Sequence, residues 1–363
     1  MASPQLPVHA AVDAVEAAIA ARKTSLLEAA YRDLSSIPKS ELAGHSAEIA
    51  PRLAGLLSEM PEWHAAVYAV LVGALVEWNA DAAACAPHIL RGLQESLERA
   101  LEFARLWRER FGDDEDLPDP AEMPSEELQA ELGPDYGTVW HALYFGWLTL
   151  HRWEMAAVAV LADPGVRRTL ANRSELVELT ERIEPDYGDL QCVQRALLLL
   201  DEEPLLVLDR ASRRGFRMRM SGISGNYQLQ TLLAGVLIGG GHLPGEAPSP
   251  EAVAMCGDAK IDMDNLDALP HALECFNFAE PSGRWIWSAT TPSRIPVVDG
   301  IRQLVLDPPV FRHHYQAVRF LPRVPGRLVI EAVLEPDETA PYFAKVQELM
   351  SWEEAGRLAA DGY

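Results

Sequence analysis

The hydrophobic periodicity of the chain changes near residue 204, and this change constrains the fold more than any other feature of the sequence. Before it, apolar residues recur at helical spacing, as in residues 9–34. After it, residues 205–211 (LLVLDRA) and 216–223 (FRMRMSGI) have the composition and alternation of strands. The sequence therefore predicts an α+β protein, with an all-helical domain over residues 1–204 and an α+β domain over residues 205–363.

The predicted helices of the first domain are separated by prolines or a glycine, which end one helix before the next begins. A PDYG motif occurs twice, but a second recurring motif, WHA, has a different offset, so no regular repeat is predicted. We expect Asp135 and Asp186 of the two PDYG motifs to cap the helices that follow them. The domain is expected to be an irregular antiparallel helical array, HEAT-like or bundle-like. Its first helices are predicted at residues 9–34, 40–59, 62–79 and 85–111.

An acidic, proline-rich segment, GDDEDLPDPAEMPSEELQAELGPD, occupies residues 112–135. It holds little that could be buried, which is typical of a solvated surface segment. We expect a surface loop or lid with one short helix after Ser125.

A β-hairpin is predicted at the start of the second domain. Phe216, Met218 and Met220 alternate with Arg217 and Arg219, so one face of the strand is apolar and the other is basic. This alternation is typical of a mostly antiparallel sheet that has one solvated face.

The other elements of the second domain follow from shorter patterns. Residues 301–307 (IRQLVLD) and 327–334 (RLVIEAVL) are predicted strands. Residues 226–238 are a predicted helix, a short helix is expected near 249–256, and residues 341–350 (PYFAKVQELM) are predicted to form a terminal helix.

The formal net charge of −23 is concentrated in the first domain. Residues 1–204 carry 35 Asp and Glu against 16 Lys and Arg, a balance of −19. A field of that sign repels nucleic acid and anionic lipid, and attracts basic surfaces. We therefore expect no nucleic-acid or membrane partner, but a protein partner that is basic if it meets the N-terminal half.

A cytoplasmic location is expected from the cysteines and the N-terminus. The four cysteines form no CxxC pair, and the first ten residues lack the basic and apolar regions of a signal peptide. Residues 65–76 and 139–150 are apolar, but each run is shorter than the roughly 20 residues that span a bilayer. Both are expected to be buried core helices.

No complete catalytic or metal-binding motif is found, and no cofactor is predicted. Ser224 lies between a strand and a helix, but Asn226 replaces the second glycine of a nucleophile elbow, so we expect Ser224 to cap the helix. The acidic turn at residues 258–267 lacks the glycine and terminal Glu of an EF-hand. Cys256, His271 and Cys275 lack the second short-spaced pair that is usual in zinc sites.

Arginines interleaved with aromatic residues form the most suggestive chemistry in the second domain. Arginine pairs bidentately with carboxylate or phosphate and stacks on rings, which suits recognition. The alternative is that these arginines neutralise the acidic half of the chain. The candidate binding residues are Arg213, Arg214, Arg217, Arg219, Arg284, Trp285, Trp287, Arg312, His313 and His314.

A stripe of aromatic residues marks one predicted helix of the first domain. Trp140, Tyr144, Trp147 and His151 recur at helical spacing, with Glu154 one turn further on. The stripe is typical of a core, but it could also line a ligand pocket in which His151 and Glu154 exchange a proton.

Three hypotheses of function remain open from the sequence. The first is a non-catalytic interaction protein, such as a regulator, an adaptor or an immunity-type binder. The second is an enzyme with a site at the domain junction that acts on an anionic small molecule or peptide. The third is a small-ligand sensor that uses the aromatic helix.

Overall fold

The computed structural model describes residues 7–120, 122, 125–262 and 264–360. The protein is α+β, with a helical N-terminal half followed by a mixed, mostly antiparallel sheet, as predicted. The chain divides into two compact units, residues 1–197 and 198–363.

The first unit consists of helices joined by short connections. Many of them begin at a proline or at a capping aspartate, the residue types that favour helix starts. Asp81, for example, accepts hydrogen bonds from the first amides of its helix. The helices are α1 (Val8–Ala20), α2 (Thr24–Ser36), α3 (Lys39–Leu56), α4 (Glu62–Glu77), α5 (Ala82–Phe111), α6 (Glu126–Leu161), α7 (Pro164–Thr169), α8 (Arg173–Tyr187) and α9 (Gln191–Leu198).

Helices α5 and α6 pack antiparallel as the central pair of this unit. Their axes approach closely because two glycines lie at the crossing. A Cβ on Gly92 would lie 2.2 Å from the Trp153 ring, and one on Gly146 would lie 2.4 Å from the Arg99 Cβ. Trp153 is buried, so the ring has little room to move aside.

Three sequence predictions for this unit are wrong. The predicted helix at 9–34 is two helices, because Arg22 adopts a positive φ of 52° between α1 and α2. The helix predicted after Ser125 is present but is not short, because it is the first part of the 36-residue α6. Asp135 therefore lies inside α6, and Asp186 lies in the last turn of α8, where its carboxylate pairs with Arg108.

The two apolar runs of the first unit lie in α4 and α6. Ala66, Tyr68 and Val72 of α4 are completely buried. Within the described residues, no helix has both the length and the apolar character that crossing a membrane requires.

The second unit combines short helices with two sheets. Its helices are α10 (Asn226–Leu237), α11 (Pro250–Cys256), α12 (Pro336–Phe343) and α13 (Trp352–Ala360). Its strands are β1 (Glu203–Asp209), β2 (Gly215–Ser221), β3 (His271–Leu273), β4 (Asn277–Ala279), β5 (Val297–Val298), β6 (Ile301–Asp307), β7 (His314–Gln316) and β8 (Arg327–Leu334).

The main sheet has the order β4-β6-β1-β2-β8, with β5 also paired to β6. The β1–β2 hairpin and the antiparallel β2–β8 pair follow the sequence prediction, whereas β1 and β6 are parallel. Phe216, Met218 and Met220 are buried against α10, and Arg217 is exposed on the opposite face. The alternation in β2 therefore separates core from solvent as predicted.

Two predictions for the second unit are wrong. Residues 341–350 are not a terminal helix, because α12 ends at Phe343 and residues 344–351 are irregular. Ser224 does not cap α10, since the N-cap position is Gly225 and the Ser224 hydroxyl donates to Gln228 Oε1 at 3.0 Å. Asn226 begins the helix, and its amide donates to the Trp287 carbonyl oxygen at 3.0 Å.

Candidate functional site

An open pocket of about 410 Å³ lies in the second unit, beside the edge strand β4 of the main sheet. We call it the aromatic pocket. This volume falls in the range of small-ligand sites, so the pocket can hold a small molecule or one large side chain. It is lined by Tyr227, Glu274, Phe276, Asn277, Trp285, Ile286, Trp287, Ser288, Ala289, Pro309, Val310, Phe311, His313 and Trp352.

Three tryptophans and a phenylalanine form one wall of the aromatic pocket, which we call the tryptophan wall. The ring centroids of Trp285, Trp287 and Trp352 lie 5.2 to 5.8 Å from one another. The Phe311 ring meets Trp352 edge-on at 4.9 Å. Edge-on and tilted contacts of this kind stabilise a rigid aromatic cluster.

A C-terminal strap, residues 344–351, carries Trp352 to this wall. The strap is held by backbone bonds from Gln347 N to Pro281 O (2.8 Å) and from Met350 N to Gly283 O (2.9 Å). Trp285 Nε1 also donates to Met350 O at 2.9 Å. Gly283 has a φ of 84°, and a Cβ there would lie 2.0 Å from the Glu348 carbonyl oxygen, so only glycine allows this approach.

The carboxylate of the aromatic pocket belongs to Glu274. Its backbone amide donates to the His313 carbonyl oxygen at 2.9 Å, and its side chain accepts a bond from the Ser288 hydroxyl. Tyr227 packs beside His313, with ring centroids 5.9 Å apart. Burial, and then the nearby Glu274 charge, raise the pKa of Tyr227, so the phenol stays protonated at neutral pH.

Asn277 supplies a hydrogen-bond donor without a partner. It begins β4 opposite Asp307 of β6. Its Nδ2 is shielded from solvent and has no hydrogen-bond partner among the described residues, and the same holds for Asp307 Oδ2. The other Asp307 oxygen accepts from Arg210 Nε at 2.6 Å, which ties together the ends of the parallel strands β1 and β6.

Apolar side chains are exposed around the mouth of the aromatic pocket. Val310 is 48% exposed, Phe311 is 54% exposed and Trp352 is 46% exposed. Of the described residues that line the pocket, Glu274 is the one with a carboxylate, and none is a lysine or arginine. The pocket is therefore apolar, acidic at one point and open to solvent.

The structure brings three of the residues predicted from sequence together in this pocket, namely Trp285, Trp287 and His313. Arg284 and Arg312 are exposed and do not line it. His314 is exposed in β7, opposite Leu273 of β3.

The four hairpin arginines lie elsewhere in the second unit, and each contacts a residue of that unit. The Arg213 guanidinium lies 3.9 Å from the Phe343 ring centroid. The remaining contacts are Arg214 with Glu335 (2.8 Å), Arg217 with the Tyr342 hydroxyl (3.1 Å) and Arg219 with Glu331 (2.6 Å).

Sequence reasoning missed Glu274, Asn277 and Trp352 as pocket residues. A signal for Trp352 was present, because Ser351 and Glu354 have the spacing of a capping box and exchange hydrogen bonds with each other's backbone amides. That motif marks the start of α13 and places Trp352 in its first turn. Glu274 and Asn277 carry no comparable signal, since their positions depend on strand pairing.

The aromatic stripe of α6 fills the core of the first unit. Trp140, Tyr144 and Trp147 are buried, with ring centroids 5.1 to 5.6 Å from Phe103 of α5. Burial raises the pKa of Tyr144 to about 12. The Trp147 indole donates to the Pro118 carbonyl oxygen at 2.9 Å, which fastens the acidic segment to α6.

The candidate metal ligands do not converge. Across the described residues, no group of three or more His, Cys, Asp and Glu side chains could hold a metal ion. Cys256 is buried, whereas His271 is exposed in β3. Burial raises the pKa of the Cys256 thiol to about 11, so it remains protonated at neutral pH.

Two cavities in the first unit are less suited to an organic ligand. One, of about 140 Å³, is narrow and lies between α4, α5 and α6. The other, of about 360 Å³, lies between α5 and α7 and has no aromatic residue in its lining.

The chain matches no protein-family model, no curated protein and no solved structure. Its function is therefore argued from the site itself, and the aromatic pocket is the site whose shape and chemistry define a ligand most closely.

Proposed function

We propose that the protein is a non-catalytic binding protein that takes a cationic group of a protein partner into the aromatic pocket. The observation that carries this proposal is the combination of the tryptophan wall with the single carboxylate of Glu274.

The chemistry of the lining favours a positive ligand group. Indole faces attract cations through their negative π-electron density, and tryptophan does so more strongly than other residues. Glu274 accepts a bond from Ser288, but a carboxylate has about four lone-pair directions, so it can accept from a ligand as well. A lining without lysine or arginine adds no opposing charge.

The mouth of the aromatic pocket supports a protein as the source of that group. A small molecule would cover the interior but leave Val310 and Phe311 in water. A partner protein would cover both residues together with Trp352, and contiguous exposed apolar residues commonly mark such interfaces. The net charge of −23 adds a long-range attraction for a basic partner.

Titration calorimetry on the full chain tests the proposal with tetramethylammonium and with 2,2-dimethylpropanol, a neutral alcohol of similar size and branching. We expect the cation to bind about tenfold more tightly than the alcohol, because the alcohol carries no charge for the π faces and the carboxylate to attract. Trp287→Leu keeps apolar bulk but removes the indole, and should abolish most of this preference. Trp78→Leu, a change in the first unit, is the matched control and should keep it.

Raising the salt concentration should weaken binding of the cation more than binding of the alcohol, because salt screens only the charged contact. Equal affinities for the cation and the alcohol, or a preference that survives Trp287→Leu together with Glu274→Gln, would contradict the proposal.

A further inference from the structure

We propose that the protein forms a twofold symmetric dimer in which strand β8 pairs antiparallel with β8 of a second copy. This inference is independent of the aromatic pocket and of the ligand proposed for it. It is carried by the open edge of the main sheet and by a self-complementary pattern of charge along β8.

The two ends of the main sheet differ in how their edges are covered. At the β4 end, a further segment bonds to the edge strand, because Ile286 N donates to Phe278 O at 2.9 Å. At the β8 end, no segment among the described residues pairs with the outer side of the strand. An eight-residue strand with an unpaired edge is a template for the strand of another chain.

The direction of the backbone groups on β8 follows from the ladder of the β1–β2 hairpin. Asp209 N donates to Arg214 O at 2.9 Å, so alternate residues of β2 from Arg214 onward bond to β1, and the residues between them bond to β8. Arg219 is one of the residues that bond to β8, and Val329 is its partner there. The backbone of Val329 is therefore turned towards β2.

The residues on either side of Val329 have the opposite backbone direction. Leu328 and Ile330 direct their N–H and C=O groups away from the sheet, because these directions alternate along a strand. No backbone hydrogen bond joins these groups to another described residue. They are the groups that a second strand would satisfy by strand addition.

One antiparallel register satisfies the outward backbone groups and also pairs the charges. A twofold axis at Val329 places Leu328 of each chain opposite Ile330 of the other, as a hydrogen-bonded pair. It places Arg327 of each chain opposite Glu331 of the other. Val329 then faces its own copy in a non-hydrogen-bonded pair, where side chains approach most closely, and it is 39% exposed in the single chain.

The charged groups of this register are available on the exposed face of β8. Arg327 is exposed and forms no ion pair with a described residue. Glu331 accepts from Arg219 Nε through Oε1 at 2.6 Å, so its second carboxylate oxygen can accept from Arg327 of the other copy. Residues 205–363 carry only −4 of the net charge of −23, so repulsion between two copies of this domain is small.

A β-bulge limits the contact to a short length of strand. The register between β2 and β8 shifts at Arg217 and Met218, which leaves Glu331 as an extra residue in β8. A bulge interrupts regular pairing, so the contact covers residues 327–331. Twofold pairing uses the open edge of both copies, and it therefore closes at a dimer. A contact this short is typical of weak association, with a dissociation constant of roughly 10–100 µM.

Sedimentation velocity on the full chain, over a concentration series that spans this range, tests the dimer. Native protein should associate reversibly. Arg327→Glu and Glu331→Arg should each weaken association at least tenfold, because each change places like charges opposite one another at both ends of the contact. Arg217→Glu is the matched control, because it makes the same charge change on β2, one strand from the edge, and should keep the native association.

Mixing the two charge variants tests the register itself. Arg327→Glu leaves two acidic residues at the contact, and Glu331→Arg leaves two basic ones. An equimolar mixture should therefore form a heterodimer with an affinity near that of the native dimer. Circular dichroism of each variant alone checks that both are folded.

Amide hydrogen exchange tests the pairing without any substitution. The amides of Leu328 and Ile330 should exchange more slowly at protein concentrations above the dissociation constant than below it. The Val329 amide, which is bonded within the sheet, should be protected at both concentrations.

Three results would overturn the inference. Native protein that is monomeric throughout the series would leave the β8 edge to another kind of partner. A dimer that persists in Arg327→Glu, or charge variants that do not associate when mixed, would place the contact on a different surface or in a different register.

Discussion

Glu154 of α6 accepts a hydrogen bond from the backbone amide of Val193 at 3.1 Å, and so caps α9 from 39 residues away. Glu154 is 3% exposed, and the other carboxylate oxygen lies 3.2 Å from His151 Nδ1. Burial raises the pKa of Glu154, although the Val193 amide and the His151 ring act in the opposite direction. The folded protein therefore holds this proton more tightly than the unfolded chain does.

The raised pKa of Glu154 predicts a pH-dependent stability. The free energy of unfolding should fall as the pH rises from the ordinary glutamate pKa to the raised pKa of Glu154 in the folded state. At higher pH, Glu154 should cause no further change in the free energy of unfolding. The loss is about 1.4 kcal/mol for each unit of pKa shift. Glu154→Gln keeps the acceptor for Val193 but does not titrate, so urea unfolding at several pH values should show its advantage over the native protein growing with pH.

Glu154→Ala is the control for the capping bond itself. It should lower the free energy of unfolding by about 1–3 kcal/mol at every pH, because the Val193 amide loses its acceptor. A native protein and a Gln variant whose stabilities run parallel across the pH range would contradict the pKa argument.

Gly92→Ala should destabilise the first unit by about 1–3 kcal/mol, because its Cβ would enter the buried Trp153 ring at the α5–α6 crossing. The matched control is Gly55→Ala in α3, where a Cβ meets nothing within 4 Å. There the better helix propensity of alanine should add up to about 1 kcal/mol. Thermal unfolding followed by circular dichroism measures the stability of both variants. Equal changes in unfolding temperature for the two variants would contradict the packing explanation.

Gly283→Ala should weaken tetramethylammonium binding by about tenfold, because the new Cβ would displace the C-terminal strap at Glu348 and, with it, the Trp352 ring. Gly300→Ala separates this clash from backbone strain. Gly300 has a similar φ of 82°, but a Cβ there has nothing within 4 Å. Calorimetry should show near-native affinity for Gly300→Ala, and equal losses in the two variants would assign the effect to strain alone.

Arg319→Met should destabilise the second unit by about 2–3 kcal/mol, because Arg319 is 4% exposed and its loss removes four hydrogen bonds to part-buried carbonyl oxygens. The exposed Arg327→Met on β8 is the control and should change stability by about 0.5 kcal/mol or less. Urea unfolding compares the two, and a small loss for Arg319 would show that water replaces its hydrogen bonds. Its acceptors are the carbonyls of Met255, Gly257, Ala259 and Pro322.

The sequence was most informative where local signals and burial agree. Strands β6 and β8 occupy the predicted residues 301–307 and 327–334, because dense apolar and β-branched runs are flanked there by glycine or proline. The helix predicted at residues 341–350 is wrong because local signals and tertiary contacts disagree there. Their helical pattern is real, but Gln347 and Met350 give their backbone amides to carbonyls of another segment. Tertiary bonding overrode local propensity.

Only part of the aromatic pocket could be predicted from the sequence. Trp285, Trp287 and His313 were candidates because aromatic residues cluster near arginines, yet the arginines themselves lie outside the pocket. Trp352 joins the wall only through the docked strap, and Asn277 is placed by its pairing with Asp307. Such positions depend on contacts between distant segments, which no local pattern encodes.

The strap has a consequence for how the protein is made. Because Trp352 follows Trp285 by 67 residues along the chain, a ribosome-bound nascent chain that ends before the strap lacks one ring of the tryptophan wall. If the proposed function is right, such a chain should bind tetramethylammonium about tenfold more weakly than a chain that includes Trp352. Retention on an immobilised cation should then separate molecules that hold the docked strap from molecules truncated before it.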